Sequence, residues 1–104
     1  MQFTLHINKA TGQEFNTVIA MREGNALKLQ ANLRVLAQDT AATISSCAWS
    51  TLDNNVTLGT QTLASSISAC LVTAQYAGEC KVKLTVTLSD NEILVYYIRI
   101  VVSE

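Results

Sequence analysis

Gly78-Glu-Cys-Lys-Val-Lys-Leu-Thr-Val-Thr-Leu-Ser-Asp-Asn-Glu-Ile-Leu-Val-Tyr-Tyr-Ile-Arg-Ile-Val-Val102 decides the fold class. Cys80, Val82, Leu84, Val86 and Leu88 alternate with Lys81, Lys83, Thr85 and Thr87, and a period of two sends the two sets to opposite faces of a strand. Ser89-Asp90-Asn91-Glu92 interrupts the pattern with residues that favour tight turns, through local side-chain bonds and tolerance of positive φ. The alternation then resumes with Leu94, Tyr96, Ile98, Ile100 and Val102. The stretch is predicted to be two long antiparallel strands with one apolar face and one wetter face.

Working backward, turn signals recur at short intervals. Leu63–Thr73 predicts a strand whose facing is ambiguous, because Ile67, Ala69 and Leu71 compete with Ser68, Cys70 and Val72 for the inner side. Gly59–Thr62 reads as a turn, Val56–Leu58 as a short strand and Asp53–Asn55 as another turn. Thr43–Thr51 reads as a strand with Cys47 and Trp49 on one face and Ser46, Ala48 and Ser50 on the other. Ala26–Gln38 is predicted to be one strand, since Leu27, Leu29, Ala31, Leu33 and Val35 alternate with polar residues. Glu14–Arg22 fits either element. Phe15, Val18, Ile19 and Arg22 lie at helical spacing behind a Thr11-x-x-Glu14 capping box. The β-branched Thr17, Val18 and Ile19 and the hairpin-like Glu23-Gly24-Asn25 favour a strand. Lys9–Gln13 is a turn, and Phe3, Leu5 and Ile7 form a short first strand. Seven to eight short strands without αβ alternation or internal repeats predict an all-β sandwich or small barrel.

The chain has 104 residues, enough for one domain. Such a chain buries about 65% of the surface it exposes when unfolded. Apolar residues make up 49% and charged residues 14%, which excludes a disordered tail and leaves apolar side chains for a partner. A net charge of −1 without a basic stripe or polybasic cluster points away from nucleic acid and anionic membranes. No run of 18 apolar residues could span a bilayer. The alternating start, Met-Gln-Phe-Thr-Leu-His-Ile-Asn, does not read as a signal peptide. The chain is therefore expected to stay in the cytoplasm until it is assembled.

Cys47, Cys70 and Cys80 are an odd set without Cys-x-x-Cys spacing, which favours free buried thiols over zinc; one disulfide with a leftover thiol is the alternative. Catalytic signals are missing. His6, the single histidine, alternates with apolar residues and has neither a partner nor a cleft nearby in sequence. Ser45, Ser46, Ser65, Ser66 and Ser68 lack a Gly-x-Ser-x-Gly elbow and read as exposed strand serines. Asp53, Asp90 and Glu92 are too sparse for the six to eight oxygens of a calcium site. Asn55-Val56-Thr57 matches a glycosylation acceptor, which matters only in a eukaryotic secretory route. No catalytic, cofactor or metal residue is assigned.

Three stretches carry a family likeness. Val18–Ala31 resembles the strand–turn–strand opening of bacterial immunoglobulin-like domains. Thr43-Ile-Ser-Ser-Cys-Ala-Trp-Ser50 resembles their third strand, in which a tryptophan packs mid-sandwich. Ala77–Asn91 with the last strand resembles their closing hairpin. The order Thr-Ile-x-Ser-x-x-Trp-Ser, Val-Thr-Leu-Gly, Ala-Gly-x-Cys-x-Val, Leu-Ser-Asp is similar to that of small tailed-phage virion proteins. The likeness covers about four-fifths of the chain and is weakest before Thr17. It implies one immunoglobulin-like β-sandwich over residues 1–104, in which 1–16 form an N-terminal strand and turn, with Trp49 as core marker. The implied function is that of a non-enzymatic structural module of a phage or prophage virion, in tail, fibre or capsid decoration. The implied partners are capsid or tail proteins or further copies of the chain, and the implied location is the virion after assembly in the host cytoplasm. The alternative is a carbohydrate- or cell-surface-binding adhesion module, which would need an exposed aromatic platform on loops; only Tyr76 is available. The inter-sheet disulfide of antibody-type domains is missing, because Leu27–Val35 holds no cysteine. A Cys47–Cys80 bridge would require matching register on neighbouring strands.

One further pattern concerns the last strand. With its even-numbered apolar residues turned inward, Ile93, Val95, Tyr97 and Val101 face outward around Arg99, with Lys81 and Lys83 beside them. An apolar and aromatic row on an outer face marks a candidate interface. The competing expectation is that Phe3–Ile7 folds over this row.

Overall fold

The computed structural model describes residues 2–8, 14–64 and 66–104, with the side chains of 14–17 left aside. The predicted turn at Lys9–Gln13, the Thr11-x-x-Glu14 capping box and Ser65 therefore lie outside the described residues. Eight strands and one helix follow in the order β1 Gln2–His6, β2 Glu14–Arg22, β3 Ala26–Asn32, α1 Arg34–Thr40, β4 Ile44–Ser50, β5 Val56–Ala64, β6 Ile67–Ala74, β7 Gly78–Leu88 and β8 Ile93–Ser103.

The strands form two four-stranded sheets, ordered β1-β3-β6-β5 and β2-β8-β7-β4, that pack as a sandwich. The long hairpin forms as its alternation dictates. β7 and β8 pair antiparallel, with Val82 opposite Ile98 and Leu84 opposite Tyr96. The turn closes through Leu88 N–H to Glu92 O and Asn91 N–H to Leu88 O, with Asn91 at φ 68°. Cys80, Val82, Leu84, Val86 and Leu88 from β7 and Tyr96, Ile98, Ile100 and Val102 from β8 are buried; facing them lie Leu27, Leu29 and Ala31 of β3 and Cys70 and Val72 of β6.

Residues 14–22 form a strand. β2 runs parallel to β8, with Ile19 beside Ile100 and Met21 beside Val102. β1 also pairs in parallel, with β3 in the other sheet, so that Leu5 lies beside Ala31. The Glu23-Gly24-Asn25 turn is consequently not a hairpin: it carries the chain from one sheet to the other. Glu23 N–H donates to Ser103 O in one sheet and Gly24 N–H to Ala74 O in the other. A chain crossing between layers must still satisfy its backbone donors, and both sheets supply acceptors here.

Two predicted boundaries are corrected. The strand read as Ala26–Gln38 stops at Asn32 and is followed by α1. Leu33 and Leu36, three residues apart, are both buried, whereas Val35, which the alternation turns inward, is 48% exposed. Arg, Leu, Ala and Gln are good helix formers. Asn32 Oδ1 accepts the Arg34 N–H and Ser66 O accepts the Leu33 N–H, which fixes the entry to the helix. The turn expected at Gly59–Thr62 is also absent. β5 continues through an irregularity between Leu58 and Gln61, and the chain reverses around Ser66, at φ 64°.

The ambiguous facing of β6 is resolved in favour of Ser68, Cys70 and Val72, while Leu71 is exposed. Ser68, read from the sequence as an exposed strand serine, is thus buried. Its hydroxyl makes burial affordable: Ser68 Oγ accepts the Trp49 indole N–H at 2.8 Å. Trp49 itself is 4% exposed and stands between the sheets. Its backbone is held from the opposite layer as well. The Gln61 carboxamide accepts from Trp49 N–H at 3.0 Å and donates to Trp49 O at 2.9 Å, so it occupies the free edge of β4 as a neighbouring strand would.

Candidate functional site

The three thiols are free. A Cys47–Cys80 bridge is ruled out by register: Cys47 lies opposite Val86 and Cys80 opposite Ile100. Six residues of strand, about 20 Å, separate Val86 from Cys80. Burial raises the pKa of all three; the Cys80 thiol is pushed up to about 11 by burial and then by the nearby carboxylates of Asp53 and Glu79. Such thiols stay protonated near neutrality and are poor nucleophiles and metal ligands. Among the described residues no three His, Cys, Asp or Glu side chains gather as a metal site. His6 is exposed on β1. Asn55, in the glycosylation-like triplet, donates from Nδ2 to Tyr76 O and Ala77 O and so ties two loops together.

The outer face of the β2-β8-β7-β4 sheet has a different character. On β8, Ile93 is 61% exposed and Val101 37%, while Val95, Tyr97 and Arg99 are half-buried. On β7, Lys81 and Lys83 are exposed, and Lys83 lies directly opposite Tyr97. Arg99 is neutralised within the face, since its Nη2 and Nε both donate to Glu79 Oε1, at 2.6 and 3.0 Å. The expectation that Phe3–Ile7 would fold over this row is overturned. β1 is committed to β3 in the opposite sheet, where Leu5 and Ile7 enter the core. No described segment covers the outer face.

Sequence reading missed three contributors. Val18, 42% exposed, and Ala20 extend the apolar row because β2 sits beside β8. Leu52, fully exposed in the β4–β5 loop, borders a hollow of about 330 Å³ shared with Lys81, Lys83 and Tyr97. That loop is held against β7: Thr51 Oγ1 donates to Lys81 O, Asp53 N–H donates to Thr51 Oγ1, and Lys81 N–H donates to Asp53 Oδ2. Leu52 is therefore presented on an anchored loop. A leucine within the polar run Thr51-Leu-Asp-Asn-Asn55 was the available signal. Val18 and Ala20 had none, because the parallel pairing that places them is long-range. Tyr76, 60% exposed, lies apart from this face in the β6–β7 connection, beside a second hollow lined by Asp53, Asn54 and Gln75.

No protein-family model and no curated protein matches the chain. Solved structures do. A cysteine protease inhibitor, EhICP2, from Entamoeba histolytica has a TM-score of 0.61 at 12% identity over 97% of this chain and 94% of its own. PbICP-C, solved in complex with falcipain-2, has a TM-score of 0.63 at 6% identity over 98% of each chain. The PKD domain of the KIAA 1837 protein has a TM-score of 0.55 at 18% identity over 94% of this chain and 92% of its own. The fold is immunoglobulin-like. At these identities the likeness describes the sandwich and its topology, while inhibition and complex formation are properties of those proteins. No helix among the described residues is long and apolar enough to cross a membrane.

Proposed function

We propose that this chain is a non-enzymatic structural module of a tailed-phage or prophage virion, a tail, fibre or capsid-decoration component that acts by protein–protein contact. The observation that carries the reading is the apolar row of Ile93, Val95, Tyr97 and Val101, which no described segment covers, extended by Val18 and flanked by Lys81 and Lys83. Lone surface hydrophobes need no explanation, but a contiguous row on one sheet face suits a partner. Aromatic side chains with arginine, as at Tyr97 and Arg99, are enriched where interfaces bind most strongly. The virion assignment is supported by the resemblance of Thr43–Ser50 and Ala77–Asn91 to small tailed-phage proteins. A non-enzymatic role fits the protonated thiols and exposed His6. The adhesion alternative has one loop aromatic, Tyr76, and a platform for sugar stacking takes more than one ring.

Particles purified from a host carrying the sequence test this directly. Mass spectrometry is expected to find the chain in fixed ratio to a capsid or tail protein. A Val95→Asp/Tyr97→Asp variant is expected to stay folded and to be lost from the particle. Wild-type chain missing from the particle, or full incorporation of the variant, would count against the proposal.

A further inference from the structure

A sheet edge exposes unpaired backbone groups, and proteins blunt it with charge, proline, bulges or a covering segment. β4 is an edge strand of its sheet, and Ile44-Ser-Ser-Cys-Ala-Trp-Ser50 holds neither a charge nor a proline. Its pairing with β7 is irregular between Ile44 and Ser46 and regular from Ser46 to Ser50. The Trp49 N–H and C=O turn away from β7, since the Gln61 carboxamide takes both, at 3.0 and 2.9 Å. Alternate residues of an antiparallel strand aim their backbone groups the same way. The Cys47 N–H and C=O therefore also point along the open edge, and no described group bonds them.

The group seated on this edge indicates what the edge accepts. A carboxamide offers one carbonyl acceptor and an N–H donor, as a peptide unit does. The fitting occupant is the backbone of an extended strand. The sequence about Ala48 then singles out a second β4. Reversed about Ala48, Ser46-Cys-Ala-Trp-Ser50 sets serine opposite serine and alanine opposite alanine. Ser46, Ala48 and Ser50 are all exposed, so small side chains meet small ones and no like charges are opposed. Cys47 falls opposite Trp49 of the second copy, which matches the two residues whose backbone groups point outward. Each such pair exchanges two N–H···O bonds, and the two-fold gives two pairs. A register centred on Cys47 would draw on Ser45, within the irregular stretch, and one centred on Trp49 would draw on Thr51, beyond the strand.

We infer that β4 is a pairing edge for a second copy of the chain, antiparallel about Ala48, and that the Gln61 side chain latches this edge shut. Pairing gives up two carboxamide bonds in each copy and forms four between the copies, so their number does not rise. That exchange keeps wild-type pairing weak, and removing the carboxamide removes the competitor. The two-fold axis stands perpendicular to the sheet, so the outer rows of both copies face the same side. The inference uses the β4 edge alone and does not rest on the outer row.

Sedimentation equilibrium of the whole chain from micromolar to millimolar concentration compares wild type with Gln61→Ala, each verified as folded by circular dichroism. Gln61→Ala is expected to dimerise at least about tenfold more tightly than wild type. The gain is expected to be the same in low and high salt, because no charge lies on this edge. Unchanged or weaker association of the variant overturns the inference. Cross-linking reads the register independently, at an exposed position away from the core. Directly opposed residues of a non-hydrogen-bonded pair have Cα atoms about 4.5 Å apart, within disulfide range. With Cys47→Ala removing the half-buried thiol, Ala48→Cys is expected to give a disulfide-linked dimer on oxidation. Ser46→Cys in the same background is expected to give none, since Ser46 lies opposite Ser50 in this register. No cross-link at position 48, or equal cross-linking at both positions, overturns the inference; a chain that still enters particles then leaves the proposed function standing.

Discussion

Trp49 Nε1 donates to Ser68 Oγ at 2.8 Å, and this bond joins β4 of one sheet to β6 of the other inside the core. Both Ser68 and Trp49 are almost fully buried. Removing the hydroxyl would leave the indole N–H without a partner where water cannot replace it. Ser68→Ala is expected to cost about 1–3 kcal/mol in urea unfolding. The double variant Trp49→Phe/Ser68→Ala is expected to cost less than the sum of the single changes. Strict additivity would show that the bond contributes nothing.

Two left-handed backbone positions predict opposite responses to side-chain size. Gly78 has φ +138°, and a Cβ there would lie 2.7 Å from Asn55 Nδ2, the atom that ties Tyr76 O and Ala77 O. Gly78→Ala is expected to destabilise by about 1–3 kcal/mol through strain and the broken loop tie. Ala41 ends α1 at φ 54°, ψ 31°, a conformation that glycine adopts freely and alanine does not. Ala41→Gly is expected to stabilise by about 0.5–1 kcal/mol. Thermal or denaturant midpoints moving in the same direction for both would contradict the backbone argument.

Stability is expected to fall in alkali through Cys80. Its thiol ionises near 9.0 when unconstrained and is pushed up to about 11 in the fold by burial and by Asp53 and Glu79. The unfolded chain therefore loses its proton first. The contribution is complete below pH 9 and is lost as the pH climbs toward 11. Burial also raises Cys47, Cys70 and Tyr96, which act in the same direction. Urea midpoints measured from about pH 8 to about pH 11 are expected to decline less steeply for Cys80→Ala than for wild type. Equal slopes would remove Cys80 as a cause.

The sequence by itself determined the hairpin from Gly78 to Val102, the inward set of β8 and the outward row from Ile93 to Val101. Alternation is a local signal, and it needs only a period of two and a difference in polarity between faces. The number of short strands determined an all-β sandwich or small barrel, and the resemblance carried by Thr43–Ser50 and the closing hairpin implied the immunoglobulin-like form that the two sheets show. Tertiary structure decided whatever depended on a distant partner. The inward turn of Ser68 waits on the Trp49 indole, and the end of β3 waits on Leu33 and Leu36 finding the core together, although Leu33 and Val35 alternate as a strand would. Whether the outer row would be covered depended on where β1 paired. Parallel partners are joined by no turn, so neither the β1–β3 nor the β2–β8 pairing leaves a local mark in the chain.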